Sequence, residues 1–438
     1  MKIRSKREMM RKARNMAAIA IAASAALTLG ACSAGSDTSD SAESTTEAMA
    51  EGTLRVAMGS PGEAQIAVWD DVAAQFQAAN PGITVEMNYV DDDLYQTVGL
   101  PNLLSGRDAP DVFFEWAGAR LQSRYDGGYT ADVSEYVDGG VLSGIWADSA
   151  FSSGTIDGQK LLVPHKADVT NVLFYNVDIF NEVGIEPPAT WEEFLETCDA
   201  LNAAGYMPLA TGNKDLWAAG NWLGHLTSRI VGEDVYDSAL KLESSFADPE
   251  WVEAFGYIKE MVDRGCVNDS ANAINDNEGA QLFFQGEAAM HPIGSWLVSW
   301  AIGEAPDLNF DYVNLPSMPG AGDQNSVIGV VTGYAINANS PLKDQAAAFL
   351  ALANNEEFVA KFVAAEAVPL ALSTANTELE PRSASLNTML GSAVTIVGPP
   401  DTDYDLAVAD AFYRAVAEVL GGVSTPEEAA AKLAAEVE

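Results

Sequence analysis

The sequence predicts an α/β protein whose sheets are mainly parallel, and three observations lead there. Beyond residue 52, short apolar runs rich in β-branched residues alternate with segments of helical periodicity. The first sixty or so residues of that body hold three strand-loop-helix units in succession, an order that crossover helices turn into parallel pairing. The body is also roughly 385 residues long, more than one core usually serves, which points to two lobes.

The chain opens on an address. Lys2, Arg4, Lys6, Arg7, Arg11, Lys12 and Arg14 precede an apolar run from about Met16 to Leu29. That run falls short of the roughly 20 apolar residues of a membrane span and reads as the core of a secretory signal. It ends in Leu29-Gly30-Ala31-Cys32, which resembles a bacterial lipobox: small residues for the peptidase, then a thiol for lipid attachment. Residues 1–31 are therefore expected to be a lipoprotein signal peptide and Cys32 the acylated residue. Residues 32–52 are Ser, Thr, Ala, Asp and Glu with almost nothing to bury, a flexible tether spanning on the order of 25 Å.

The body then yields its elements in order. Leu54 to Met58 is a short buried strand, followed by the Gly59-Ser60-Pro61-Gly62 turn. A helix with Val68, Trp69, Val72 and Phe76 on one face stops at Asn80-Pro81-Gly82. Ile83 to Val90 is the second strand, and Asp91-Asp92-Asp93 caps a helix through Leu104. Pro110 to Phe114 is the third strand, running into Glu115 and Trp116, with Trp116 expected on an exposed loop. A second set starts near Leu161: a strand at Val172–Tyr175, then a short helix that Gly184 ends. Thr190, with Glu193 three residues on, makes a capping box for a helix from Trp191 to Ala204. Further helices are expected near Leu216–Ile230, Pro249–Arg264, Glu278–Phe284, Ala346–Ala353 and Glu356–Ala364, with a strand at Val330–Ile336. Thr425-Pro426 starts a terminal helix with proline at its first position.

Charge narrows the partners. The 438 residues carry a formal net charge of −40; without residues 1–31, 16 basic residues face 62 acidic ones. Such a surface repels phosphate backbones, so nucleic acid is excluded as a partner. Cys198 and Cys266 remain once Cys32 is assigned to the anchor. Cys198 lies on an apolar helix face with Trp191, Phe194 and Leu201, so buried free thiols are the favoured expectation, although an extracytoplasmic compartment would allow a bond.

A string of segments in order resembles the maltose-binding-like group of extracellular solute-binding proteins. They include Asn80-Pro81-Gly82-Ile83, Pro110-Asp111-Val112, Leu173-Phe174-Tyr175-Asn176, Pro188-Ala189-Thr190-Trp191-Glu192-Glu193-Phe194, Gly286-Glu287-Ala288-Ala289-Met290, Gly294-Ser295-Trp296 and Gly333-Tyr334-Ala335-Ile336-Asn337. The resemblance implies a two-lobed periplasmic-binding-protein-like fold, each lobe a sheet flanked by helices and discontinuous in sequence. Residues 53–164 plus 329–372 would form the first lobe, and residues 165–328 plus 373–438 the second. It implies hinge closure on a mono- or oligosaccharide, which the protein would deliver to an ABC permease with a cytoplasmic ATPase. It further implies a monomer without cofactor or metal, held at the outer face of the membrane by its lipid. A non-sugar solute on the same scaffold is the alternative.

Flat aromatics suit the apolar face of a sugar ring and polar groups its hydroxyl rim. Trp116, Trp217 and Trp296 stand where the resemblance places stacking aromatics; Trp222 is expected in the core, and Trp300 in either place. Rim candidates are Ser60, Glu63, Asp93, Tyr95, Glu115 and Lys166, with His165 beside the last. Tyr404 and Phe412 are the nearest aromatics to a further platform from the C-terminal segment.

Catalytic readings find little support. The chain has no Gly-x-Ser-x-Gly, no His-Glu-x-x-His and no phosphate-binding Lys-Ser/Thr loop. Asp401-Thr402-Asp403-Tyr404-Asp405 begins like a calcium loop, but Leu406 replaces the required glycine and Phe412 the bidentate glutamate. A secreted glycoside hydrolase would also combine acids with aromatics. With some sixty carboxylates, however, an acid pair carries no information.

Overall fold

In the computed structural model, residues 51–365, 370–371 and 379–437 are described, apart from the side chain of Asp93. Cys32, the signal segment 1–31, most of the tether and the expected lobe boundary at 372/373 lie outside the described residues.

Twelve strands are described: β1 (Gly52–Gly59), β2 (Ile83–Val90), β3 (Val112–Trp116), β4 (Thr155–Ile156), β5 (Gln159–Lys160), β6 (Val163–Val169), β7 (Val172–Asn176), β8 (Met207–Leu209), β9 (Ala288–Ile293), β10 (Phe310–Val313), β11 (Val327–Ile336) and β12 (Ile396–Val397). They form two sheets and a small β4–β5 hairpin. The first sheet runs β12-β11-β3-β1-β2 with β6 on β11, the second β10-β7-β9-β8. The fold is the expected α/β architecture with two sheets, but the pairing is mixed rather than mainly parallel. β1 pairs in parallel with β2 and β3, whereas β11 runs against both β3 and β6. In the second sheet only β8–β9 is parallel. The direction of travel explains the exception in the first sheet: β6 leaves that sheet toward the second, and β11 comes back.

Each sheet has its own core. On the first, the Glu63–Ala79 helix buries Val68, Trp69, Val72 and Phe76. Trp69 packs 5.0 Å from Phe362, and Phe76 lies edge-on to Phe349 at 5.5 Å. On the second, Trp191, Phe194 and Leu201 join Trp222, Trp251, Phe255 and Phe412 in one apolar cluster. Both halves of the Thr190–Glu193 capping box are formed, so the Trp191–Ala204 helix begins where its sequence signal says. Tyr404 and Phe412 sit in this second core and offer no platform to a ligand.

Two expectations change locally. The helix after Asp91 is capped by that side chain, but Tyr95–Gly99 forms a π-helical turn within it. The cysteines are bonded: Cys198 and Cys266 are both fully buried, with Cα atoms 5.2 Å apart. Helical periodicity placed Cys198 correctly. What it could not convey is that Leu209 of β8 donates a backbone hydrogen bond to the Cys266 carbonyl (3.0 Å), drawing the turn after the Pro249–Asp263 helix into the same core.

The bond closes a loop with a sequence separation of 68. Its removal in Cys198→Ala/Cys266→Ala is expected to lower stability by about 2–4 kcal/mol, chiefly by freeing the unfolded chain. Urea denaturation of the variant beside the oxidised parent measures this; coincident curves would contradict it.

Candidate functional site

Strand ends converge on one cleft between the sheets. The carboxyl end of β1 supplies Met58, Gly59 and Ser60, β3 supplies Phe114 and Trp116, and β6 and β11 form the floor with Lys166, Asp168, Thr332 and Tyr334. Trp217, Asn221, Asp276, Trp296 and Trp300 face them from the second sheet, with Asp401 and Thr402 beside them. The cleft holds about 1160 Å³ of empty space, counting what is open to solvent.

Trp116 is the last residue of β3 rather than part of a loop. Successive side chains of a strand point to opposite faces, so Phe114 and Trp116 turn to the cleft together while Glu115 turns away. Phe114 braces Trp116 edge-on at 4.8 Å. Trp217 opens the Trp217–Val231 helix, and its ring lies 6.1 Å from that of Trp296. Trp296 occupies its place because Gly294 has no side chain: a Cβ there would come within 2.0 Å of the indole. Trp300 completes this wall, while Trp222 is buried in the second core, as expected.

The rim candidates divide. Ser60 and Lys166 line the cleft, and Lys166 pairs with Asp168 at 3.1 Å, whose other oxygen accepts from the Ser295 hydroxyl at 2.8 Å. Three others fail to reach it. Glu115 is wholly buried on the far face of β3, bound by Arg124 at 2.8 Å. Tyr95, the first residue of the π turn, is buried too, its hydroxyl donating to the Phe114 carbonyl at 2.7 Å. Glu63 is exposed in the first turn of its helix, where a carboxylate suits the helix dipole, and does not line the cleft. Asp93 lies outside the described side chains.

Several lining residues escaped sequence reading: Asp92, Asp168, Asn221, Asp276 and Asp401. Asp92 stands beside Asp93 in the Asp91-Asp92-Asp93 run. Asp401 lay in the run that begins like a calcium loop. No group of metal-ligating side chains exists among the described residues.

These residues give the cleft an acidic rim. Asp92, Asp168, Asp276 and Asp401 line it, against one lining cation, Lys166. Burial raises the pKa of Asp92, although the Gln96 amide donates to it at 2.7 Å. His165 adds no charge. Packed against Trp69, Tyr334 and Phe362, its imidazole is held down to about 3 by burial and then by adjacent Lys166. The arrangement offers flat apolar walls, a hydrogen-bonding rim and a field unfavourable to anions.

Comparison with known proteins agrees with this geometry. Residues 59–360 match the family model described as bacterial extracellular solute-binding protein, and the chain belongs to that family, one of binding proteins rather than enzymes. An uncharacterised ABC transporter extracellular-binding protein of Pyrococcus horikoshii is 23% identical over 67% of this chain and 66% of its own length, just under two thirds of that relative. The sn-glycerol-3-phosphate-binding periplasmic protein of Shigella dysenteriae is 26% identical over 59% of this chain and 60% of its own. Among solved structures, a chitin oligosaccharide binding protein superposes with a TM-score of 0.80, at 23% identity over 88% of this chain and 98% of its own.

Two outcomes follow from the placement of these side chains. Trp222→Ala should cost about 3–5 kcal/mol of stability by opening a core cavity. Trp217→Ala, half-exposed on the cleft wall, should cost far less; equal losses in chemical denaturation would contradict the assignment. Between pH about 6.5 and about 3, the unfolded chain takes up a proton at His165 that the folded chain refuses, so stability falls as pH drops through that window. A His165→Gln variant should show a shallower fall, by about 1.4 kcal/mol per pH unit for one proton. Parallel stability–pH curves would contradict a neutral His165.

Proposed function

We propose that this member of the bacterial extracellular solute-binding protein family is the substrate-binding component of an ABC importer. It captures a neutral mono- or oligosaccharide between its lobes and delivers it to the permease. The observation that carries this reading is the wall formed by Trp217, Trp296 and Trp300, opposed by Trp116 across a cleft with a polar rim. An indole surface matches the C–H face of a pyranose, and the carboxylates can accept from its hydroxyls. The chitin oligosaccharide binding protein, the Pyrococcus relative and the family match support it.

Charge separates the sugar from a phosphorylated solute. The lining carboxylates Asp92, Asp168, Asp276 and Asp401 outnumber the two cations that pair with them, Lys166 on Asp168 and Arg120 on Asp401, so the glycerol-3-phosphate reading that one relative suggests is disfavoured. Lobe closure is proposed to pivot where β6 and β11 pair between the sheets, which puts the crossings close to the boundaries expected at 164/165 and 328/329. The lipid anchor at Cys32 is proposed on its sequence signal alone. It would hold the protein at the outer face of the membrane, within reach of the permease.

A thermal-shift screen against neutral mono- and oligosaccharides tests this, because a ligand binding only the folded state raises Tm. At least one sugar should raise it and sn-glycerol 3-phosphate should not. A shift confined to the phosphate would overturn the proposal. With the sugar found, Trp116→Ala and Trp217→Ala should each weaken binding about tenfold or more in calorimetry, from lost stacking and burial.

A further inference from the structure

Arg120 is placed strangely for an ordinary surface arginine. It lies in the first turn of the Ala119–Asp126 helix, where the helix dipole disfavours a cation, and no acidic residue shares that turn. Its partner comes from the other lobe. Nη2 donates to the Asp401 carboxylate at 3.1 Å and Nε to the Asp401 carbonyl at 3.0 Å, while Nη1 lies 3.3 Å from the Gln96 carbonyl of its own lobe. Only 11% and 12% of the two side chains remain exposed.

Both ends of this contact reach the cleft walls. The guanidinium sits 5.1 Å from the centroid of Trp116 and so backs that indole. On the far side, the Asp401 amide donates to the Tyr413 hydroxyl at 3.1 Å, and that hydroxyl donates to Asn221 at 2.5 Å. Tyr413 belongs to the second core, and Asn221 lines the cleft. Beside the ion pair the backbones nearly touch. Gly118 holds φ 90°, and a Cβ on it would lie 2.1 Å from the Thr402 carbonyl. The buried Arg124–Glu115 pair stays within the first lobe, and Lys166–Asp168 lies within one strand, β6.

We propose that Arg120 and Asp401 form an interlobe latch that favours the closed protein and, in closing, fixes Trp116 against the solute. The latch rests on the transport reading for its purpose, but its existence can be tested without any ligand. Opening the lobes returns both charges to water; closing replaces that hydration with two charge-assisted bonds from Arg120 to Asp401. Whatever fraction of the ligand-free protein the latch keeps closed raises apparent affinity in proportion, because only the competent form pays no closing cost. Arg120 is thus a positioning residue, acting on the solute through Trp116.

The test is small-angle scattering of the ligand-free full chain, with thermal unfolding to confirm folding. Arg120→Lys and Asp401→Asn, mild changes, should cut the ratio of closed to open protein about fivefold or more and expand the particle. Raising the salt concentration should expand the parent but leave Asp401→Asn unchanged. Arg120→Asp and Asp401→Arg should each open it, and the double charge swap should restore compaction, which a purely structural role would not do. Folded single variants as compact as the parent, or a swap that fails to restore closure, would overturn the latch. Failure of every sugar in the thermal-shift screen would sink the carbohydrate reading instead and leave this result standing.

Discussion

Everything in this molecule hangs from the antiparallel ladder of β6 and β11. It pairs Gly329–Thr332 with Lys166–Val169, and its register shifts between Thr332 and Gly333. Toward one end β11 also pairs with β3 and belongs to the first sheet. Toward the other, Val169 and Val327 pack into the cluster that holds Val172 and Phe174 of β7. The two sheets therefore meet in an apolar cluster at this junction and face each other across a gap beyond it, and the gap's floor is made of strand residues whose alternation puts Lys166 and Asp168 on one side. Backbone hydrogen bonds hold the ladder, so the side chains above it are free to serve a ligand.

The cleft combines surfaces that elsewhere in a protein would be kept apart. Four half-buried indoles sit among carboxylates, a mixture that gains little from closing on water and more from closing on a molecule with both faces and hydroxyls. The neutral state of His165 belongs to this design. A charged imidazole beneath Trp69 would draw water and counter-ions into the floor; burial keeps it uncharged and the floor quiet.

How much could be read beforehand depended on whether a signal was local. Capping boxes, stop signals and period-two or period-3.6 patterns located β1, β2, β3, β7 and β11 and many of the helices, because each depends on a few neighbouring residues; Thr190–Glu193 is the clearest case, whereas short strands such as β8 and β12 carry too few residues to show a period. The three tryptophans were also legible, since strand ends and helix starts converge in such folds. Phase and distance were not. Tyr95 faces the core from the start of a helix, and one step along β3 turns Glu115 to its far face. Whether Cys198 meets Cys266, or Asp401 meets Arg120, depends on elements 68 and 281 residues apart in sequence, beyond the reach of any window.

The packing of Gly294 under Trp296 bears on how such a protein tolerates change. Any side chain at that position would tilt the indole out of its plane of contact, although residue 294 itself need never touch the solute. A scan for lost affinity would score Gly294 as a contact, and a chemist widening the cargo range would find there a dial that reshapes the wall from behind.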